Sequence, residues 1–260
     1  TAPGRVAVKA VAASPDGRTV LAATDEAVFV WRLVALAGRR PGSAPPAALH
    51  RPVAVRLPRP VYALAVDPSG RWVATLDDQG VRLWDLRAVP GAPDSPGRRA
   101  TPRGPGLVHP VTDAREVAFD PTGGRLAVAA GNGVRVIDRT GRVLDARPDA
   151  HGGRVETVAF GGAAGELLAT GDAGGLVRVW RVGADGKLTP QADLVGHTGA
   201  VYSLAFAPSG RTLATAGFDR MVLLWDPVTG NERAALTGHA DRVLRAHFLA
   251  DSSALVTVGR

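Results

Sequence analysis

The 260-residue sequence has no cysteine and one methionine, and only 5 % of its residues are aromatic. Without a thiol, neither a disulfide-stapled scaffold nor a cysteine-ligated zinc module is possible. No apolar run approaches the roughly 18 to 20 residues of a spanning helix, and nothing at the start reads as a signal peptide, so a soluble, cytoplasmic protein is expected. Lysine is almost missing as well: of 31 basic residues all but Lys9 and Lys187 are arginine, against 24 acidic ones, for a net charge of +7. This Arg, Ala, Gly and Pro bias suggests a GC-rich coding genome. What is abundant is Gly and Pro, 32 and 20 residues, in a chain that is 45 % hydrophobic. Collagen is excluded because the glycines follow no three-residue period, and disorder is excluded by the apolar content. A turn-rich all-β chain remains.

The arginines recur at equivalent places, Arg18, Arg71, Arg125 and Arg211 after a turn and Arg82, Arg135 and Arg178 inside apolar runs, which reads as a solvated rim. The one block, Arg98 to Arg103, has no aromatic residue interleaved for base stacking, so a nucleic-acid partner is not expected.

An internal repeat organises the chain. Turns with Pro second and Gly fourth appear as Ser14-Pro15-Asp16-Gly17, Asp67-Pro68-Ser69-Gly70, Asp120-Pro121-Thr122-Gly123 and Ala207-Pro208-Ser209-Gly210. Pro presets the first corner and Gly accepts the positive φ, so each joins two antiparallel strands. A first apolar run precedes each turn and a second follows it. A third then closes at Trp31, Trp84, Ile137, Trp180 and Trp225, spaced 53, 53, 43 and 45 residues apart. Fourth, weaker strands are read at 53–57, 142–146, 187–194 and 232–236. No interval carries a 3.6-residue apolar period, so a parallel α/β sheet is excluded. Four antiparallel strands recurring at this spacing are the pattern of propeller blades.

Trp84-Asp85 and Trp225-Asp226, closing third strands, and Gly196-His197 and Gly238-His239, preceding first strands, make the chain resemble the WD-repeat (WD40) β-propeller family. The pattern is degenerate elsewhere: Trp31-Arg32 and Trp180-Arg181 lack the Asp, Ile137-Asp138 lacks the Trp, and His151 follows Ala150. The expectation is one propeller segment over 1–260, with blades near 5–58, 59–109, 110–148, 149–195 and 196–237 and an incomplete one over 238–260. Insertions at 35–52 and 88–105 read as flexible excursions. Related domains usually have seven blades, so these five and a half imply a segment of a longer polypeptide whose remainder closes the ring.

The resemblance also implies a hydrogen-bonded tetrad in the fifth blade: His197, Thr215, Asp219 and Trp225. The same residue types could form a hydrolase triad, but in a repeat they belong to the buried lattice. The fourth blade keeps His151, Thr170 and Trp180 but has Gly174 at the Asp position; the first two offer Asp25 and Asp78. Gly183-Ala184-Asp185-Gly186-Lys187-Leu188 has the wrong spacing for a phosphate loop, Gly131-Asn132-Gly133 reads as a hairpin turn, no Gly-x-Ser-x-Gly elbow occurs, and the six histidines show no i, i+4 pair. No enzyme, cofactor or metal is expected.

Related domains use the face carrying the loops before first strands and the turns between second and third strands. Transferred by position, that face would carry Pro60, Asp113, Arg154, Ala200 and Arg242, with Thr24, Asp77, Ala173 and Phe218. Phe218, Arg154, Arg242, Asp77 and Asp113 form the expected binding face, Phe218 as an aromatic anchor and the two arginines as grips for a carboxylate or phosphate. The functional expectation is a non-enzymatic protein–protein interaction scaffold, the sensory or scaffolding part of a larger bacterial signalling protein. The alternatives are a propeller binding an anionic polymer or phosphorylated ligand through its arginines and a propeller hydrolase, for which no cluster of perturbed acids is legible.

Overall fold

The computed structural model describes residues 7–14, 19–32, 52–56, 59–86, 106–249 and 251–260. Apart from Pro52, the two insertions lie outside the described residues, as does the Arg98 to Arg103 block. The described residues form strands joined by turns, and the strands pair antiparallel.

The turns are set by local chemistry. Gly70, Gly123 and Gly210 have φ of 66°, 69° and 70°, and their amides donate back to the carbonyls of Asp67, Asp120 and Ala207 at 2.9, 2.8 and 2.7 Å. Where the turn begins with Asp, its carboxylate adds further closure. Asp67 Oδ1 accepts the amides of Arg71 and Trp72 at 2.8 and 2.7 Å, and Asp120 Oδ1 accepts that of Arg125 at 3.0 Å.

The chain divides into two compact units, 1–108 and 109–260. In the first, β1 (Ala10–Ala13), β2 (Thr19–Ala23), β3 (Ala27–Arg32) and β4 (Val53–Arg56) pair in chain order. A second sheet follows from β5 (Ala63–Val66), β6 (Trp72–Asp77), β7 (Gly80–Asp85) and β8 (Leu107–Pro110), the last a strand for which sequence reading made no provision. Leu21, Val28 and Val30 of the first sheet share a core with Val61, Leu64 and Val73 beside or within the second.

The second unit holds three four-stranded sheets and a two-stranded one. The first comprises β9 (Ala114–Phe119), β10 (Arg125–Ala130), β11 (Gly133–Asp138) and β12 (Val143–Arg147). Next come β13 (Val155–Gly161), β14 (Leu167–Asp172), β15 (Leu176–Val182) and β16 (Leu188–Val195). Then follow β17 (Val201–Phe206), β18 (Leu213–Gly217), β19 (Val222–Trp225) and β20 (Glu232–Leu236), and the pair β21 (Val243–Phe248) and β22 (Leu255–Gly259). Within this unit β9, β13, β17 and β21 lie successively side by side. Both faces of the central strands are therefore covered, which is why β14 and β18 are buried at every residue.

Three devices lock neighbouring sheets in this unit. Side-chain interdigitation is the largest: Val155, Leu168 and Trp180 pack on Val134 and Val136, and Leu204, Leu213 and Trp225 pack on Leu167, Val177 and Val179. Gly161 has no side chain because the Phe206 ring of the next sheet occupies the space where its Cβ would stand. The second device joins the innermost strands: Glu116 Oε2 accepts the Val158 amide at 3.0 Å, and Ser203 Oγ accepts the Ala246 amide at 3.1 Å. The third is arginine. Arg125, with 16 % side-chain exposure, donates to Asp120 Oδ2 at 2.9 Å in its own sheet and to the carbonyls of Gly183 and Ala164 at 3.0 Å in the next. Arg82 of the first unit, at 18 %, is bound to Asp77 within its own sheet. The solvated rim expected for the recurring arginines is thus corrected at Arg125 and Arg82, whose guanidinium donors hold buried carboxylates and, at Arg125, carbonyls of the next sheet.

Candidate functional site

The tetrad positions of the third sheet in the second unit come from four separate elements. His197 is on the loop before β17, Thr215 lies in the middle of β18, Asp219 is in the β18–β19 turn, and Trp225 ends β19. Trp225 Nε1 donates to Thr215 Oγ1 at 2.9 Å, His197 Nε2 lies 2.7 Å from the same oxygen, and His197 Nδ1 lies 2.8 Å from Asp219 Oδ2. One proton arrangement satisfies every group: indole to hydroxyl, hydroxyl to Nε2, and Nδ1–H to carboxylate, with His197 neutral. Asp219 also accepts the amides of Thr198 at 3.0 Å and Met221 at 3.2 Å. Thr215 is fully buried, so the hydroxyl that a triad would use as nucleophile is closed in by the lattice.

The preceding sheet has the same network with a different carboxylate. His151 Nε2 is 2.7 Å from Thr170 Oγ1, Trp180 Nε1 donates to that oxygen at 3.0 Å, and His151 Nδ1 is 3.0 Å from Asp172 Oδ2. Counting back six residues from Trp180 leads to Gly174, which suggested an incomplete tetrad; the acid comes instead from the end of β14, two residues after the threonine. Burial, opposed by Asp172, holds the His151 pKa below the usual imidazole value. A base with a depressed folded pKa is fully compatible with the fold above its unfolded pKa of about 6.5, and stability is lost as pH falls through that value toward the folded one. Melting temperatures measured from pH 7.5 to 5 should therefore fall more steeply for the native protein than for His151→Gln. Parallel slopes would show that His151 does not titrate with unfolding.

This register also corrects Asp77. It sits two residues after Thr75, in the place of Asp172, and is 5 % exposed. Its Oδ1 accepts the amides of Gln79 and Gly80 at 2.8 and 3.1 Å, and its Oδ2 binds Arg82 Nε at 2.6 Å, so it is part of the lattice and not of a binding face. Thr24 is likewise turned inward, capping the β2–β3 turn through the amide and carbonyl of Ala27. Asp78 is exposed and pairs with Arg59 at 2.8 Å. Trp84 still donates to Thr75 Oγ1 at 2.7 Å, while in the β9–β12 sheet Val128 stands across from Arg135, as Thr75 does from Arg82, and Ile137 closes the third strand. In the last sheet His239 Nε2 lies 2.8 Å from Thr257 Oγ1.

Of the residues expected on the loop face, the structure brings two together. Phe218 is 54 % exposed at the start of the β18–β19 turn, and the Arg242 guanidinium carbon lies 5.9 Å from its ring centroid. Gly199 leaves room for the ring: a Cβ there would meet Phe218 at 3.1 Å. The two residues line an open groove of about 620 Å³ with Thr198, Asp219, Arg220, Ala240 and Asp241. Arg220, which position counting overlooked, reaches it because its φ of 70° turns the chain outward.

Arg154 and Asp113 lie apart from that groove, between the first two sheets of the second unit. Arg154 does not present a free guanidinium: Glu156 Oε1 takes its Nε at 2.8 Å and its Nη2 at 2.5 Å, which together with Asp113 raises its pKa above the usual arginine value. Asp113, at φ 54°, is 3.8 Å from Arg115. Among the described residues no three His, Asp or Glu side chains are grouped to hold a metal ion.

Comparison with known proteins follows the repeat. The family model described as "WD domain, G-beta repeat" matches residues 55–85 and 188–226. Coronin-7 of Mus musculus is 39 % identical over 87 residues, 32 % of this chain and 9 % of that protein. WD repeat and SOCS box-containing protein 1 of Homo sapiens is 41 % identical over 95 residues, 36 % of this chain and 22 % of that protein. The chain thus matches less than a quarter of the length of these relatives. Among solved structures, the β-propeller domain of Cps50 (Swd1) from Myceliophteria thermophila superposes with a TM-score of 0.71 at 16 % identity, over 97 % of this chain and 80 % of that one, which shows the fold. Residues 55–85 and 188–226 match WD repeats, and the chain has the fold of a β-propeller built from four-stranded antiparallel sheets, which together support a WD-repeat (WD40) β-propeller.

Proposed function

We propose that this chain is a non-enzymatic interaction scaffold that receives a protein or peptide partner in the groove at Phe218. The observation that carries this reading is Phe218 itself: a large aromatic ring held half out of the surface, flanked by arginine, in a recess formed by turns of an otherwise rigid lattice. Exposed aromatic and arginine side chains in such recesses are the residue types that dominate interface energies. The burial of Thr215 supports a structural and not a hydrolytic use of the tetrad. The finer reading is a cytoplasmic scaffolding part of a larger bacterial signalling protein. It is supported by the arginine-for-lysine composition, while the curated relatives named above are from Mus musculus and Homo sapiens.

The engagement of Arg82, Arg125 and Arg154 with carboxylates takes these three guanidinium groups out of reach of an anionic polymer laid along the surface, which favours a discrete groove. Affinity capture with the native chain and with Phe218→Ala, compared at 50 and 300 mM salt, tests this. The expected result is loss of the captured partner with Phe218→Ala at an unchanged melting temperature and little salt dependence. Unchanged capture by the variant, or capture that collapses with salt alone, would refute the groove.

A further inference from the structure

The two guanidinium groups and two carboxylates around the groove at Phe218 balance in number but not in accessibility, since the Asp219 side chain is only 6 % exposed. Asp219 lines it, but its carboxylate is taken up by His197 Nδ1 and by the amides of Thr198 and Met221. Asp241 has an oxygen bound to the Arg242 amide at 2.6 Å and stands 4.0 Å from the Arg242 guanidinium, at the outer limit of an ion pair. Arg220 is exposed and has no carboxylate within ion-pair distance among the described residues. The groove therefore offers one unpaired and one loosely paired guanidinium beside an apolar ring, with a single acidic side chain in the open.

On this basis, and resting on the groove proposed above, we infer that the partner is an acidic peptide segment: an apolar side chain packs on Phe218 while neighbouring Asp or Glu carboxylates are held by Arg220 and Arg242. The recognition is geometric as well as electrostatic. Guanidinium groups take carboxylates through paired N–H donors, and Arg242 is already oriented by its contact with the ring. An approaching lysine would meet two guanidinium groups and have only Asp241 to bind, so basic segments are repelled.

The test uses an array of nine-residue synthetic peptides with a central Leu or Phe flanked by Asp and Glu, by Lys and Arg, or by Ser and Gly. It is probed with the intact chain and with Phe218→Ala, Arg220→Gln and Arg242→Gln. All three side chains are at the surface, and melting curves confirm that the variants fold. The acid-flanked set should be retained at least about 10-fold more strongly than the others, with Phe218→Ala abolishing retention and each glutamine variant reducing it about 5-fold or more. Retention of the basic set, or equal retention of all three sets with loss on Phe218→Ala, overturns the acidic preference while leaving the groove standing. Retention of no set, or retention indifferent to Phe218→Ala, overturns the groove as well. Competition by single-stranded DNA that persists in Phe218→Ala would assign the arginines to a polyanion instead.

Discussion

Thr215→Val should destabilise the second unit by about 2–5 kcal/mol although it changes the side chain's shape hardly at all. The threonine hydroxyl is the hub of the network: it accepts from Trp225 Nε1 at 2.9 Å and meets His197 Nε2 at 2.7 Å, and it is fully buried. A methyl group in its place leaves an indole N–H and an imidazole nitrogen without partners, and each orphaned buried group costs about 1–3 kcal/mol. Trp225→Phe alone should cost part of its packing plus one hydrogen bond. The double variant should then be less destabilised than the sum of the singles, by about 1–2 kcal/mol, since the indole orphaned by the first change no longer exists. The β9–β12 sheet indicates that the lattice accepts an apolar solution, with Val128 in the threonine register and Ile137 closing the third strand. Urea unfolding of the four proteins gives the comparison. A cost under 1 kcal/mol for Thr215→Val, or strict additivity, would mean that the network contributes shape but no hydrogen-bond energy.

Local features were legible in the sequence because they are decided locally. Asp67-Pro68-Ser69-Gly70 and Asp120-Pro121-Thr122-Gly123 fold as turns through φ preferences and a side-chain oxygen a few residues away, and no tertiary contact is needed to foresee them. The four tetrad residues of the β17–β20 sheet were legible because buried polar groups at fixed strand register have few alternatives. What escaped was decided by register or by distance in the chain. Thr75 and Trp84 are nine residues apart, whereas Thr170 and Trp180 are ten apart, so counting back from the tryptophan slid by one position and placed Asp77 on a surface it does not reach. Asp172 was missed because the carboxylate stands at no fixed count: it is two residues after Thr170 but four after Thr215, although each threonine is ten residues before its tryptophan. Arg154 was expected to grip a carboxylate or phosphate, yet Glu156 two residues on accepts from its Nε and Nη2, a pairing that alternation along an extended chain allows. Strand β8 is only four residues long and has no partner signal in its own sequence. The approach of Arg242 to Phe218, 24 residues away, depends on the packing of two sheets and had no local signature.

Arg125→Ala should cost about 3–5 kcal/mol, the range for removing one partner of a buried ion pair, while Arg211→Ala at the corresponding turn of the β17–β20 sheet should stay within about 0.5 kcal/mol. The difference lies in the residue that opens each turn. Asp120 is fully buried, and the Arg125 guanidinium answers its charge and continues into the carbonyls of Gly183 and Ala164. The turn before Arg211 opens with Ala207, which has no carboxylate, and Arg211 is exposed. Removing Arg125 therefore leaves a buried charge with only the Arg125 amide and the Thr122 hydroxyl, and deprives two carbonyls of the adjoining sheet of their donors. Arg125→Lys should recover less than half of the loss, because one ammonium cannot span a carboxylate and two separate carbonyls. In a repeat architecture each sheet is stabilised mainly by its neighbours, so the defect should also raise amide exchange in β13 and β14, on the far side of the seam. Equal costs for Arg125→Ala and Arg211→Ala, or full rescue by lysine, would show that the seam is held by apolar packing alone and that the guanidinium ties are incidental.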